Sequence, residues 1–559
     1  MTAFAHDNYL RLSGRQESCA VESPAVPRFP RLRPAVVAAL LIAIGAIRMA
    51  TTWRVFSVTN DEGTHLGAGL EMYEFHRYTL QSENPPLPRL IYAAVPWFGG
   101  MRFDPRGTFT DQIHSVFYGH GDYRANLFRG RAGTAVFFII AAIAVFFAAR
   151  DALSDTGALA ATFLFTMEPV VLGYSALTTH DGPAVAGLAV ALLAFGRWLH
   201  APDLKHALIF GAAFGFSIQC KFTSIIYVPV TCVTIVVVRL LRDLDFRRRF
   251  ARALGTMIPA AFVTLFVIWA GYGFTIHTFA DLQPWMDSYP PRLQHLLAHI
   301  NPSTPLPAPQ FFVGISAIRK IDKEGMDSFL IGRASRTGWW WYFPFAVSLK
   351  TTIAALLLFV AGLWFALRDG ELRGVFAEWS LAGLAIIAVA LPSTLDLGVR
   401  YILPFYVPFA IACATAVVEM LRGNRAIRFT AAALLVCHLG ASALAHPDYF
   451  PYFNAFAGRD PSRLLVDSNI DWGQDVLRLR SVIRREHIPS IALSLMGPAD
   501  YAALGFPPFR YPSPWAPSKG WIAVSDHSYQ MTKAQQGGWR WLPENYRRIG
   551  KSIRLYYIP

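Results

Sequence analysis

The sequence predicts an all-α polytopic membrane protein with a small α/β domain at its C-terminal end. Three observations carry this. Of 559 residues, 54% are hydrophobic and 16% are charged, with a mean hydropathy of +0.34; soluble domains usually carry about 25% charge. The apolar residues gather in long blocks, several near the roughly 20 residues that cross a bilayer as a helix. The stretch 446–559 is too polar to span, and a chain of about 110 residues suffices for a small domain. The formal net charge of +14 does not require nucleic acid. Basic cytoplasmic loops are the ordinary source of such an excess in a membrane protein, and no RNA-binding motif is present.

The expected spans are 34–52, 131–149, 157–175, 182–199, 206–220, 222–240, 254–272, 343–367, 379–395, 401–421 and 429–445, eleven in all. Arg28, Arg31 and Arg33 precede the first apolar run, and no small-residue cleavage site clearly follows it, so it reads as an uncleaved first span. Arg239, Arg242, Arg247, Arg248, Arg249 and Arg252 cluster after the sixth span, and Arg422, Arg425 and Arg428 after the tenth. Short basic loops stay cytoplasmic. The N-terminal tail 1–33 is then inside, and an odd number of spans puts the C-terminal domain 446–559 outside. The transmembrane body is 34–445.

Two other long segments share the outer face, 53–130 and 273–342. In the first, 62–76 and 84–98 read as short interfacial helices split by Pro85, Pro86 and Pro88. In the C-terminal domain, Ile491–Leu495 and Trp521–Val524 read as strands and Leu477–Ile488 as a helix. The five cysteines form no CxxC pair, and four lie in or beside apolar segments. A disulfide framework or thiolate zinc site is therefore not expected.

This topology gathers ionisable residues on one face. Asp61, Glu62, His65, Glu83 and Asn84 lie in the first outer segment. Asp181 follows the third span, Lys221 follows the fifth, Lys350 lies just inside the eighth, and Asp396 and Arg400 precede the tenth. An ionised group this near hydrocarbon costs about 2.5–3.5 kcal/mol on insertion scales, so such groups usually face a cavity or each other. Each has a plainer reading. A single lysine or arginine at a helix end snorkels, and Asp181 before Gly-Pro suits a helix cap. As a group they fit acid–base chemistry beside a phosphate. A carboxylate takes a proton from an acceptor hydroxyl or amine, and lysine and arginine hold the phosphate as it leaves. A lipid-linked phosphate suits the location.

Several stretches resemble a known family. They are the Asp61-Glu62 pair, Glu83-Asn84-Pro85-Pro86-Leu87, Leu397-Gly398-Val399-Arg400-Tyr401-Ile402-Leu403-Pro404, His446-Pro447-Asp448-Tyr449-Phe450-Pro451-Tyr452-Phe453-Asn454 and Asp467-Ser468-Asn469-Ile470-Asp471-Trp472-Gly473-Gln474-Asp475. Together they resemble glycosyltransferase family 39 and its bacterial relatives, the protein O-mannosyltransferases and lipid A aminoarabinose transferases of the GT-C membrane fold. The resemblance implies a polyprenyl-phosphate sugar donor, inversion in a single displacement, and a protein or glycolipid acceptor. For catalysis it implies Asp61 as general base, Glu62 as its support and Asp181 as the second carboxylate. Lys221, Arg400 and Lys350 are the implied donor-phosphate ligands. His65, Asn84, Asp471, Trp472 and Gln474 are candidate substrate-binding residues. Glu83 lies where some relatives place a divalent-metal ligand, but no histidine partner is identifiable, so a metal is left open and no other cofactor is implied. The dense polar run 467–475 also reads as a buried turn anchored by Trp472.

The expected function is an inverting membrane glycosyltransferase in the cell inner (plasma) membrane, with its active site on the periplasmic side and the lipid bilayer as its surroundings. Two other classes are weighed against it. A lipid-linked glycan transporter needs polar groups at the bilayer midplane, whereas these spans are mostly Ala, Val, Leu, Ile and Phe at their centres. An O-antigen ligase or polymerase uses a diphosphate donor, and the basic residues Arg292, Arg319, Lys320, Lys323, Arg333 and Arg336 keep it in view.

Overall fold

The computed structural model describes residues 33–119, 121–289, 291–368 and 370–559. The expected N-terminal tail, with Arg28, Arg31 and Cys19, lies outside the described residues apart from Arg33. Among the described residues, eight helices are long and apolar enough to cross a membrane. Two bent helix pairs and one shorter apolar helix fill the remaining predicted positions.

The first span is α1, Pro34–Thr52. Three short helices follow in the first long loop: α2 Glu62–Phe75, α3 Pro86–Phe98 and α4 Phe109–Tyr118. The first two match the predicted pair. Gly69 of α2 lies against the Arg89 backbone of α3, so a side chain there would drive the helices apart. The chain crosses back through α5, Tyr123–Ala132, and α6, Thr134–Ala152. It returns through α7, Asp155–Met167, and α8, Pro169–Ser175. Next come α9 Asp181–His200, α10 Leu204–Cys220 and α11 Ser224–Arg242. A basic helix, α12 Leu244–Ala253, leads into α13, Met257–Gly271.

The segment 273–342 carries more structure than its proline content predicts. Strand β1 Ile276–Thr278 pairs with β2 Pro305–Pro307, with α14 Pro291–Leu297 between them. Helix α15 Pro309–Glu324 and the hairpin β3 Ser328–Leu330 with β4 Arg333–Ser335 complete it. The body closes with α16 Tyr342–Lys350, α17 Ile353–Leu367, α18 Arg373–Ala390, α19 Tyr406–Arg422 and α20 Arg425–Ala445.

Two spans are broken where the sequence predicts unbroken helices. The chain bends by 60° between α7 and α8 and by 113° between α16 and α17. Pro169 explains the first, because a proline starts a helix but removes a hydrogen bond within one. Backbone freed inside a membrane must find partners within the protein. The Glu168 carboxylate, at the first break, accepts from Thr352 N at 3.3 Å, at the second. The Asn454 side-chain amide donates to the Ser348 and Thr351 carbonyls at 2.7 and 2.8 Å. The two bends are thus stitched to each other and to the segment after the last span.

Beyond α20, the chain forms α21 Val476–Arg485, β5 Ile491–Ser494, β6 Phe509–Arg510, β7 Gly520–Ser525, α22 Asp526–Gln536, β8 Arg547–Ile549 and β9 Ile553–Ile558. The strands make one five-stranded sheet, ordered β6-β5-β7-β9-β8. β5 runs parallel to β6 and β7, while β9 is antiparallel to β7 and β8. Strand alternation divides the core: Ile491, Leu493 and Ala523 pack with α21 residues on one face, and Ala492, Ile522 and Val524 with Trp539 on the other. The predicted strands and helix coincide with β5, β7 and α21. The basic clusters lie in the α11–α12 and α19–α20 connections, at the end of the bundle opposite α2 and the sheet.

Candidate active site

Asp61 stands immediately before α2 and spends no side-chain hydrogen bond on capping it. The preceding loop is held on all sides. Ser57 N donates to the Gln474 carbonyl at 2.9 Å and Asn60 N to the Trp472 carbonyl at 3.1 Å. Val58 N donates to the Tyr123 hydroxyl at 2.8 Å. The partly exposed Asp61 carboxylate then meets Arg400, whose Nη1 donates to Oδ2 at 2.9 Å.

Arg400 reaches this point from a 3-10 turn, Val399–Phe405, that leads into α19. Its guanidinium lies 4.3 Å from the Trp472 ring centre and 5.0 Å from that of Tyr401, so aromatic faces set its orientation. The same Nη1 is 3.8 Å from Asp181 Oδ2. Among the described residues its Nε is buried without a partner, so that donor is open to a ligand. Asp181 opens α9 and accepts from Lys221 Nζ at 2.6 Å and from Thr179 Oγ1 at 3.1 Å. Lys221 follows the last residue of α10. Asp61, Arg400, Asp181 and Lys221 thus form one continuous chain of alternating charge, drawn from four distant parts of the sequence.

Glu62, expected beside Asp61 in catalysis, faces the other way. It accepts from Arg131 Nε at 2.8 Å and Nη2 at 2.6 Å, from Thr59 N at 2.9 Å and from Thr178 N at 3.0 Å. Both side chains of the pair are fully buried. Burial pushes the Glu62 carboxyl up, but the Arg131 charge and these hydrogen bonds outweigh it and leave it below the usual glutamate value. Glu62 therefore positions the Asp61 loop and the Thr178–Asp181 turn together. The sequence reading missed Arg131; an arginine at the outer end of an apolar run is the signal that was there.

Lys350, expected on the donor phosphate, is also turned away. It is buried and donates to the carbonyls of Phe450 at 2.9 Å and Asn469 at 2.5 Å. Asp471, Trp472 and Gln474, expected on substrate, form the buried turn. Asp471 accepts from His527 N at 2.8 Å, and burial pushes its carboxyl up to about 6. Gln474 bonds the Ile470 carbonyl at 2.7 Å. Trp472 reaches the site through its ring beneath Arg400.

His65 is buried, with Nδ1 accepting from Arg89 Nε at 3.3 Å. Its ring meets that of His180 edge to face at 4.5 Å. Burial, with the charge of Arg89, drives both imidazoles well below the usual histidine range and keeps them neutral. Asn84 is half-buried, its carbonyl accepting from the Tyr78 hydroxyl. Glu83 is also half-buried. Among the described residues, no three of His, Cys, Asp and Glu are grouped to hold a metal ion. Glu83 belongs to no such group among the described residues.

Residues 123–269, from α5 through α13 and including Asp181 and Lys221, match the family of dolichyl-phosphate-mannose-protein mannosyltransferases. No curated protein matches the sequence. Among solved structures, ArnT from Cupriavidus metallidurans bound to undecaprenyl phosphate is similar at 14% identity and a TM-score of 0.45, over 92% of this chain and 97% of that one. The apo oligosaccharyltransferase of Archaeoglobus fulgidus is similar at 14% identity and a TM-score of 0.42, over 91% and 72%. The S. cerevisiae protein O-mannosyltransferase Pmt1-Pmt2 complex bound to the sugar donor is similar at 19% identity and a TM-score of 0.30, over 44% and 33%. No site assignment rests on these three. Over those residues the family match agrees with the family 39 resemblance of the sequence.

Proposed function

We propose that this protein is an inverting glycosyltransferase that moves a sugar from a polyprenyl-phosphate donor to a cell-envelope acceptor, on the periplasmic face of the inner membrane. The observation that carries the reading is the Asp61–Arg400–Asp181–Lys221 chain. Two cations there are held by carboxylate oxygens, the same type of acceptor that a phosphate offers. The basic α11–α12 and α19–α20 loops support a cytoplasmic side opposite the site.

The donor phosphate competes with Asp61 and Asp181 for Arg400 and Lys221, and Arg400 Nε adds a donor that no protein atom uses. Transfer of Arg400 from Asp61 to the phosphate frees the Asp61 carboxylate. Asp61 then removes the proton from an acceptor hydroxyl or amine as that atom bonds to the anomeric carbon. The bond from that carbon to the phosphate oxygen breaks with its electron pair on oxygen, leaving polyprenyl phosphate. Lys221 and Arg400 stabilise the charge gained by the leaving phosphate. Asp181 holds Lys221 in place between turnovers.

Asp61→Asn keeps shape and removes the base. The purified variant is expected to bind polyprenyl phosphate as tightly as wild type, or more tightly, while transfer falls by about 10²–10⁴-fold. Full turnover by this variant overturns the assignment. Supplying the same sugar on monophosphate and diphosphate polyprenyl carriers separates this reading from a ligase-type enzyme. Comparing envelope glycoproteins and glycolipids with and without the protein by mass spectrometry identifies the acceptor and sugar.

A further inference from the structure

A cavity lies at the end of the bundle away from Asp61. Helix α6 packs along α9, and α11 along α18. Between these pairs, where the chain reaches the basic loops, is a cavity of about 270 Å³. Gly196 of α9 faces open space: a Cβ added there meets no atom within 4 Å. One wall is apolar, formed by Leu192, Leu193 and Val375. The other carries both signs of charge. Arg239 Nη2 lies 3.0 Å from Glu378, with Arg242 Nη1 at 3.6 Å from the same carboxylate. Arg197 Nε lies 3.0 Å from Asp151 at the rim.

This combination selects among ligands. A purely anionic headgroup meets the carboxylates of Asp151 and Glu378, and a purely cationic one meets Arg239, with the His200 imidazole also in the lining. A soluble zwitterion leaves the apolar wall without a partner. A phospholipid with a primary ammonium and a phosphate satisfies all three features. We infer that this cavity seats the headgroup of a phosphoethanolamine-type lipid, with its ammonium on Asp151 and Glu378, its phosphate on Arg239 and Arg242, and the start of its chains on Leu192, Leu193 and Val375. A headgroup pocket at the membrane end of a helix bundle follows the general pattern of lipid-specific recognition by interhelical charged pockets. The orientation proposed above makes this the cytoplasmic leaflet; the site stands without that orientation and without the transferase reading.

Native mass spectrometry tests it on the full chain, equilibrated in detergent with acyl-matched phosphatidylethanolamine, phosphatidylcholine and phosphatidylglycerol. Wild type is expected to retain phosphatidylethanolamine about tenfold over either other lipid, because only it brings N–H donors to both carboxylates along with a phosphate. Gly196→Leu fills the cavity while leaving every charged side chain in place, and is expected to abolish the preference. Asp151→Asn, at a half-exposed pair that folding does not need, is expected to reduce it several-fold. Equal retention of the three lipids overturns the proposal, as does a preference unchanged in Gly196→Leu. Binding of soluble O-phosphoethanolamine with no lipid preference overturns the lipid assignment in favour of a soluble phosphomonoester.

Discussion

Glu62→Gln separates the two adjacent acids more sharply than any change at Asp61. Glu62 Oε1 takes Arg131 Nε and Thr178 N, and Oε2 takes Arg131 Nη2 and Thr59 N. A glutamine amide keeps one of these oxygens. Whichever way it turns, one Arg131 nitrogen and one backbone N–H lose their acceptor and face another donor. Both charged side chains are fully buried, and breaking one partner of a buried pair costs about 3–5 kcal/mol. That is a fifth or more of the stability of a typical folded protein, about 5–15 kcal/mol. Denaturant unfolding of the purified protein in detergent is expected to show a loss of this size, with turnover per folded molecule largely kept at low temperature. Replacing both partners by apolar groups, Glu62→Leu with Arg131→Met, is expected to recover most of the loss, because desolvation of the pair is removed with its attraction. The effect also depends on pH. The Arg131 charge and its hydrogen bonds hold Glu62 below the usual glutamate value in the fold, so its contribution is complete above the unfolded glutamate value, about 4.3, and fades as pH falls through the lowered value. A Glu62→Gln protein as stable as wild type but devoid of transfer activity refutes the reasoning and returns Glu62 to the substrate.

Further outcomes follow from the same geometry. Arg400→Lys keeps the charge but not the planar guanidinium held between two rings, nor its Nε donor; donor binding is expected to weaken by about 1.5–3 kcal/mol in a titration with polyprenyl phosphate. Lys350→Met leaves the Phe450 and Asn469 carbonyls without their donor and is expected to lower stability by a similar amount, while donor affinity measured by the same titration stays within about twofold. Asp396 lies in the loop before Arg400, its Oδ1 buried without a partner, and burial pushes its carboxyl up to about 7. An acid with a raised folded value loses stability as pH rises from its unfolded value, near 4, through 7. Asp396→Asn keeps an acceptor for Trp339 N, at 2.6 Å from Oδ2 in wild type, and is expected to flatten that slope in unfolding measured from pH 4 to 8.

The spans and the convergence of Asp61, Asp181, Lys221 and Arg400 on one face were legible because each marks the end of an apolar block, and counting blocks assigns it a side. What each carboxylate or ammonium touches was not. Asp61 and Glu62 are neighbours of one chemical type, but α2 begins between them and turns their side chains to opposite partners. Glu62's partner lies 69 residues onward, and neither composition nor periodicity points to it. Lys350 looked like a phosphate ligand because a lysine inside a span demands a partner. The partners proved to be carbonyls of the segment after the last span, exposed by irregular backbone that hydropathy does not register. The run 467–475 carried two readings, and the buried turn is the one its hydrogen bonds describe. The breaks left a signal, Glu168-Pro169 in one apolar block and Lys350-Thr351-Thr352 in the other, which span length alone overrode.

The pairing of Ser57 and Asn60 with Gln474 and Trp472 has a consequence for synthesis. These partners are more than 400 residues apart, so the loop that aims Asp61, though already held by Tyr123 and by the Glu62–Arg131 pair, is not closed on its far side until the segment behind the last span has been made. Arg400, similarly, lacks its Trp472 platform until then. Contacts this distant form late. A partly made chain, already carrying its acids, therefore lacks the assembled Asp61–Arg400 centre. The aim of Asp61 and the seat of Arg400 are thus completed together, by the same short stretch of chain, residues 472–474.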